Sequence, residues 1–202
     1  MAKFFRSTFF KCAALLLCLM VAFGGLLALL NDLLYVSAEE RTARAIKKVY
    51  GELKEYTVIM EGQEISCGEF GVIDKIYVVA GQDENTFDYL FHTTGKKGFQ
   101  DGTITYWVKV KSNSGKLSID NLLIESNKKQ SFIGSLTSDW HQTLYVDIDG
   151  QSKYLTSKPD NLKENPELSL VPTTGATNSK NASCNAVNCV IYYFNDYVGG
   201  QS

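Results

Sequence analysis

The sequence has no excess of basic charge. Its 20 Lys and Arg stand against 22 Asp and Glu with no basic stripe, which argues against nucleic acid as a partner. Histidine is scarce. His92 and His141 are the only two, they lie in different segments, and neither accompanies a Ser or Cys signature of a hydrolytic triad, so both read as strand-end or surface residues. There is no Cys-x-x-Cys and no His at ligand spacing from a Cys, which disfavours a zinc or iron-sulfur site. No Gly-x-Gly-x-x-Gly follows a strand signal, so the chain carries no dinucleotide fingerprint for NADH. With no period of 20 to 50 residues, solenoids and low-complexity polymers are set aside.

Cysteine needs more care. Of the five, Cys12 and Cys18 lie inside an apolar run, leaving Cys67, Cys184 and Cys189 for a folded part. These read as small buried residues. The alternative, a Cys184 to Cys189 bridge, requires a break between them, because five residues apart on a continuous helix they share no face.

What the chain does have is a long apolar run. Residues 12–30 contain no charge, and at about 1.5 Å per residue they reach roughly across a bilayer core. Lys3, Arg6 and Lys11 precede the run and Asp32, Glu39 and Glu40 follow it, so the positive-inside rule predicts a short cytoplasmic tail (1–11), a membrane helix (12–31) and an external remainder. A cleaved signal peptide is the rival, with Val36-Ser37-Ala38 as its cleavage site, but its apolar core is normally 7 to 15 residues. A connecting helix is expected within 32–56, strongest over 38–55, where acids come first, Lys47 and Lys48 come last, and Ala45, Val49 and Leu53 mark one face.

Strand signals dominate from residue 57. Segments 57–60, 72–80 and 87–91 are β-branched or aromatic, and 103–111 alternates Ile104, Tyr106, Val108 and Val110 with Thr105, Trp107 and Lys109, predicting a sheet with one buried face. Segment 117–124 returns as its partner, and 145–148 with 153–156 across Asp149-Gly150 predicts a second hairpin. Trp107, Trp140 and the Tyr residues read as sheet-face and core residues, with one aromatic available to flank a planar cofactor. Glu125 and Asp139 are a conceivable carboxylate pair that nothing in the sequence joins. Residues 159–172 read as a loop delivering the chain to a hydroxyl-rich stretch, Thr173 to Ser179. An apolar pattern at 187, 190, 191, 194 and 198 then predicts a closing helix. The expected class is α+β: an N-terminal membrane helix, then an external antiparallel sheet domain flanked by helices.

Hydroxyls at a helix entrance commonly act as caps, and such an entrance also suits a phosphate, because the first-turn N–H groups lack intrahelical partners. Several features in order weigh toward the phosphate. These are the N-terminal anchor, Gly98-Phe99-x-x-Gly102-x-Ile104 running into a strand, Gly115-Lys116-Leu117 opening its partner, and Thr174-Gly175-Ala176-Thr177 before the closing helix. In this order the chain resembles the FMN-binding domain family, which includes subunits of the Rnf complex and of the sodium-translocating NADH:quinone reductase. The resemblance spans nearly the whole chain and places the FMN-binding domain at 57–202. It implies FMN joined through its phosphate to the hydroxyl of Thr177 by a separate flavin transferase, with Thr174, Gly175 and Ala176 as recognition and backbone contacts. It further implies an electron-transfer role beside other subunits of a membrane redox complex, rather than a complete enzyme. Val171 stands where the family carries Asp, and Gln130 to Gly134 stands in place of the family's Glu-Thr-Pro-Gly-Leu-Gly loop. Two other functions compete with this reading. A flavin-free interaction domain has the same fold, and a pilin-like subunit calls for a Gly-Phe processing site with Glu five residues on, which is not found.

Overall fold

The computed structural model describes residues 8–81, 86–113, 116–128, 144–156 and 177–198. The chain forms two compact units, Met1–Thr42 and Ala43–Ser202. The first contains helix α1 (Thr8–Leu34), whose segment Phe10–Asn31 is long and apolar enough to cross a membrane and includes no buried residue among those described. Helix α2 (Ala38–Tyr50) begins in this unit with Ser37 as its N-cap. The Ser37 hydroxyl accepts from the Glu40 N–H at 3.1 Å, while the Ser37 carbonyl accepts from Arg41 N–H at 3.0 Å. Its acids, Glu39 and Glu40, and its bases, Lys47 and Lys48, match the helix dipole. The helix stops at Tyr50 rather than continuing to Glu55, because Gly51 adopts a left-handed φ of 81° and turns the chain.

The second unit is built on an antiparallel sheet in simple sequential order: β1 (Tyr56–Ser66), β2 (Gly71–Ala80), β3 (Phe87–Gly95), β4 (Ile104–Asn113), β5 (Lys116–Ser126) and β6 (Asp147–Ile148). The closing helix α3 (Thr177–Tyr192) continues as a π-helical segment, Tyr193–Val198. An apolar helix, a six-stranded antiparallel sheet and further helices make the class α+β, as expected.

The sheet is buried on both faces, which corrects the one-sided expectation. Ile104, Tyr106, Val108 and Val110 face α3 and pack with Ala182, Ala186, Val187, Cys189, Val190 and Ile191. The opposite side of β4 is covered too: Trp107 packs with Tyr77, Val79 and Leu90 against Ala45, Ile46 and Val49 of α2. Polar Thr105 and Lys109 on that side misled the pattern. Lys109 is buried because its ammonium pairs with Asp120 at 2.6 Å and Asp88 at 3.5 Å and lies 4.7 Å from the centre of the Tyr50 ring.

The predicted second hairpin is also corrected. Asp147 and Ile148 pair with β5, but residues 152–156 do not return as a strand. That segment is bound instead by α3: the Asn188 amide accepts from Leu155 N–H at 2.7 Å and donates to its carbonyl at 2.8 Å, and Asn195 donates to the Ser152 carbonyl at 2.8 Å. The Ser152 hydroxyl contacts the Asp149 carboxylate at 3.0 Å and donates to the Asp147 carbonyl at 2.9 Å, which closes the turn locally. Val198, expected on the buried stripe of the closing helix, is 46 % exposed because the wider π-helical turn rotates it off that face.

Candidate functional site at the entrance of the closing helix

Close approach of backbone fixes where α3 begins. A Cβ on Gly95 would fall 2.0 Å from the Ala182 carbonyl oxygen and 2.4 Å from the Ala186 nitrogen, so only glycine lets the helix lie on β3 here. Further along, Phe91 packs edge-on to Tyr193 and Phe194, so α3 runs antiparallel to β3. Its N-terminus therefore points toward the end of the sheet where β3 leaves and β4 enters. Tyr106 donates to Ser183 at 3.0 Å and Asn185 to the Lys96 carbonyl at 2.9 Å, holding the first half of the helix to that end.

Thr177 is the first residue of α3, and its side chain is exposed. N–H groups at the start of a helix carry the positive end of its dipole, and Lys180 is buried one turn in. Burial lowers the pKa of Lys180, a drop partly offset by Cys184. The loop between β3 and β4 lies at the same end of the sheet. All described non-glycine residues with positive φ fall in it, Lys97 at 66°, Gln100 at 50° and Asp101 at 56°. Conformations of this kind are costly and gather at ligand clamps and switches. The loop is pinched by Gly98 N–H donating to the Gly102 carbonyl and Gly102 N–H donating to Phe99, each at 2.9 Å, and Lys97 pairs with Glu69. Thus Gly98, Phe99, Gly102 and Ile104 of the sequence motif share one end of the sheet with the entrance of α3.

Thr174, Gly175 and Ala176 lie outside the described residues, as do Val171, residues 130–134, Asp139, Trp140 and His141. The proposed aromatic flank is not at this site for Trp107, which is in the core against α2. A cluster of Tyr89, Phe91, Tyr193, Phe194 and Tyr197 lies at the other end of α3, a helix of 16 residues and so roughly 24 Å long.

The residues present suit a phosphate ester at Thr177. Thr177 is exposed, the start of a helix carries the positive end of its dipole, and Lys96 and Lys97 place positive charge at this end, with Glu69 paired to Lys97.

A second polar cluster emerged that the sequence did not signal. His92, read as a strand-end or surface residue, is only 12 % exposed at its side chain. Its Nδ1 lies 2.5 Å from Asp74 Oδ1 and its Nε2 contacts Glu125, with the ring 4.5 Å from that of Trp107. Burial on its own would lower the pKa of His92, but hydrogen bonds with Asp74 and Glu125 and their charges raise it to about 9. The His92 hydrogen bond holds Glu125 below the usual carboxylate range. Glu125 is thus paired with His92, and its conceivable partner Asp139 falls outside the described residues. Strand register makes this cluster: His92 faces Trp107 on β4 and Lys75 on β2, and a bulge between Ile73 and Lys75 re-aims Asp74. Both ring nitrogens are engaged, so the imidazole is held as a structural cation. Among the described residues, no group of His, Cys, Asp or Glu is arranged to hold a metal.

Comparison with known proteins finds no match to this chain among protein-family models, curated proteins or solved structures.

Proposed function

We propose that this protein is a membrane-anchored electron carrier that holds FMN through a phosphate ester to Thr177. The observation that carries the reading is an exposed hydroxyl on the first residue of α3, at the end of the sheet that also holds the strained 97–101 loop. When bound, FMN supplies one- and two-electron transfer. The chain's own residues attach and orient it. The Thr177 oxygen provides the covalent link, the first-turn N–H groups and Lys180 stabilise the phosphate charge, and Thr174, Gly175 and Ala176 supply recognition by a flavin transferase.

Helix α1 is the anchor, with Lys3, Arg6 and Lys11 in the cytoplasm and the sheet unit outside. Electrons pass to and from other subunits of an Rnf- or Nqr-type membrane complex, whose members supply the donor and acceptor sites.

The test is co-expression of the full chain with a flavin transferase. Wild-type protein is expected to give a fluorescent band in a denaturing gel and a Thr177 peptide heavier by FMN less one water, both lost in Thr177→Ala. A folded wild-type protein with no flavin spectrum and an unmodified Thr177 peptide refutes the reading and leaves the flavin-free interaction domain. The exposed Val58 and Ile59 on edge strand β1 would then be its first candidate contacts.

A further inference from the structure

Two cysteines far apart in sequence meet in the core. Cys67 opens the turn between β1 and β2, where its N–H donates to the Gly71 carbonyl at 3.0 Å and its carbonyl accepts from Phe70 N–H at 3.2 Å. Cys189 sits on α3, 122 residues later, and the Cys67 thiol approaches its carbonyl oxygen at 3.7 Å. Both side chains are fully buried, and both are thiols. The neighbouring Cys67 thiol, together with burial, pushes the Cys189 thiol up. Room for this meeting comes from Gly71, where a Cβ would lie 3.1 Å from Cys189 Sγ and 2.0 Å from the Thr94 carbonyl oxygen. The third buried cysteine, Cys184, is on the same continuous helix as Cys189 and five residues away, so a bridge between those two has no break to form across. Burial, partly offset by Lys180, pushes the Cys184 thiol up to about 12, which makes it inert.

We infer that Cys67 and Cys189 are a disulfide-forming pair that fastens the β1–β2 turn to the closing helix. The oxidant is a small or protein disulfide, of the kind present outside the cytoplasmic membrane. One cysteine thiolate attacks it and forms a mixed disulfide, releasing one thiol. The second cysteine then displaces the other thiol, so two electrons and two protons pass from the pair to the oxidant and one S–S bond forms. Buried thiols with raised pKa values exchange slowly in the finished fold, so the bond forms while α3 is still docking. The inference does not depend on flavin. Cys189 lies near the far end of α3 from Thr177, and the pairing holds with Thr177 unmodified.

The full chain, carrying Cys12→Ser and Cys18→Ser to remove the exposed thiols, is reduced and unfolded, then refolded in detergent over oxidised and reduced glutathione. Denaturation without reductant is expected to leave one alkylatable thiol, Cys184, and reduction is expected to expose three. Proteolysis should yield one linked pair of peptides containing Cys67 and Cys189. Cys184→Ser should keep that link and Cys67→Ser should abolish it, while reduction of the bridged protein should lower its melting temperature by roughly 10 °C. Three alkylatable thiols before reduction, or a linkage through Cys184, overturns the inference. The wild-type peptide map decides this even if a single variant fails to fold.

Discussion

Raising the pH should withdraw a proton that this fold holds at His92. The imidazole is clamped between Asp74 and Glu125 and its folded pKa is about 9, against 6.5 for the free side chain. Because the folded value lies above the unfolded one, the folded state binds more protons between them. The stabilisation is therefore fully present below pH 6.5 and is lost as pH rises through about 9. That interval corresponds to about 3 kcal/mol. Glu125 is 39 % exposed, so solvent screening reduces the figure to about 2 kcal/mol, or roughly 4–8 °C in melting temperature. With Trp140→Phe in both chains, Trp107 fluorescence reports unfolding at the cluster itself, since its ring lies 4.5 Å from His92. Melts of the full chain at pH 6 and pH 9.5 should differ by this amount in wild type, and His92→Gln should lose the dependence across that window. With only two histidines in the chain, ring-proton NMR reads the pKa directly. A His92 resonance that titrates near 6.5, or parallel pH curves for wild type and variant, would refute the clamp.

The packing of α3 yields two further predictions. Gly95→Ala places a methyl group 2.0 Å from a backbone oxygen and should cost about 3 kcal/mol or more, read as a fall of roughly 6–12 °C in melting temperature; an unchanged melt would show that α3 does not close on β3. Asn188→Ala leaves both Leu155 backbone groups without their partner and should cost about 2–4 kcal/mol, and Asn188→Asp, which buries a carboxylate against the Leu155 carbonyl, should cost at least as much at neutral pH; denaturant midpoints at constant slope measure both.

Comparison of these sites shows which features local pattern carries. The cap at Ser37, the charge-free run of α1 and the alternation in β4 are all decided by neighbours within one turn or two strand residues, and each is readable in order along the chain. The His92 clamp is not, because Asp74 and Glu125 come from strands 18 and 33 residues away and meet only once a bulge sets the register of β2. The 153–156 segment misled for the same reason: a turn at Asp149-Gly150 with apolar flanks reads as a hairpin, yet the competing partner was Asn188 on a helix that had not yet been placed. At the candidate site, a hydroxyl at the start of a helix was legible, since Thr177 precedes the apolar stripe of α3. That the helix entrance shares one end of the sheet with the 97–101 loop was not.

The sequence by itself determined the N-terminal apolar helix, the strand-rich unit after it, the α+β class and a closing helix entered through a hydroxyl-rich stretch. These follow from composition and from periods of 2 and 3.6 residues, which act over a few neighbours. Only the tertiary structure decided that the sheet is covered on both faces, that Lys109 and His92 are held as paired cations, and that Cys67 meets Cys189 rather than Cys184 meeting it. Each of these depends on strand register and on how closely α3 approaches Gly71 and Gly95, which are contacts between residues far apart in the chain and carry no local signal.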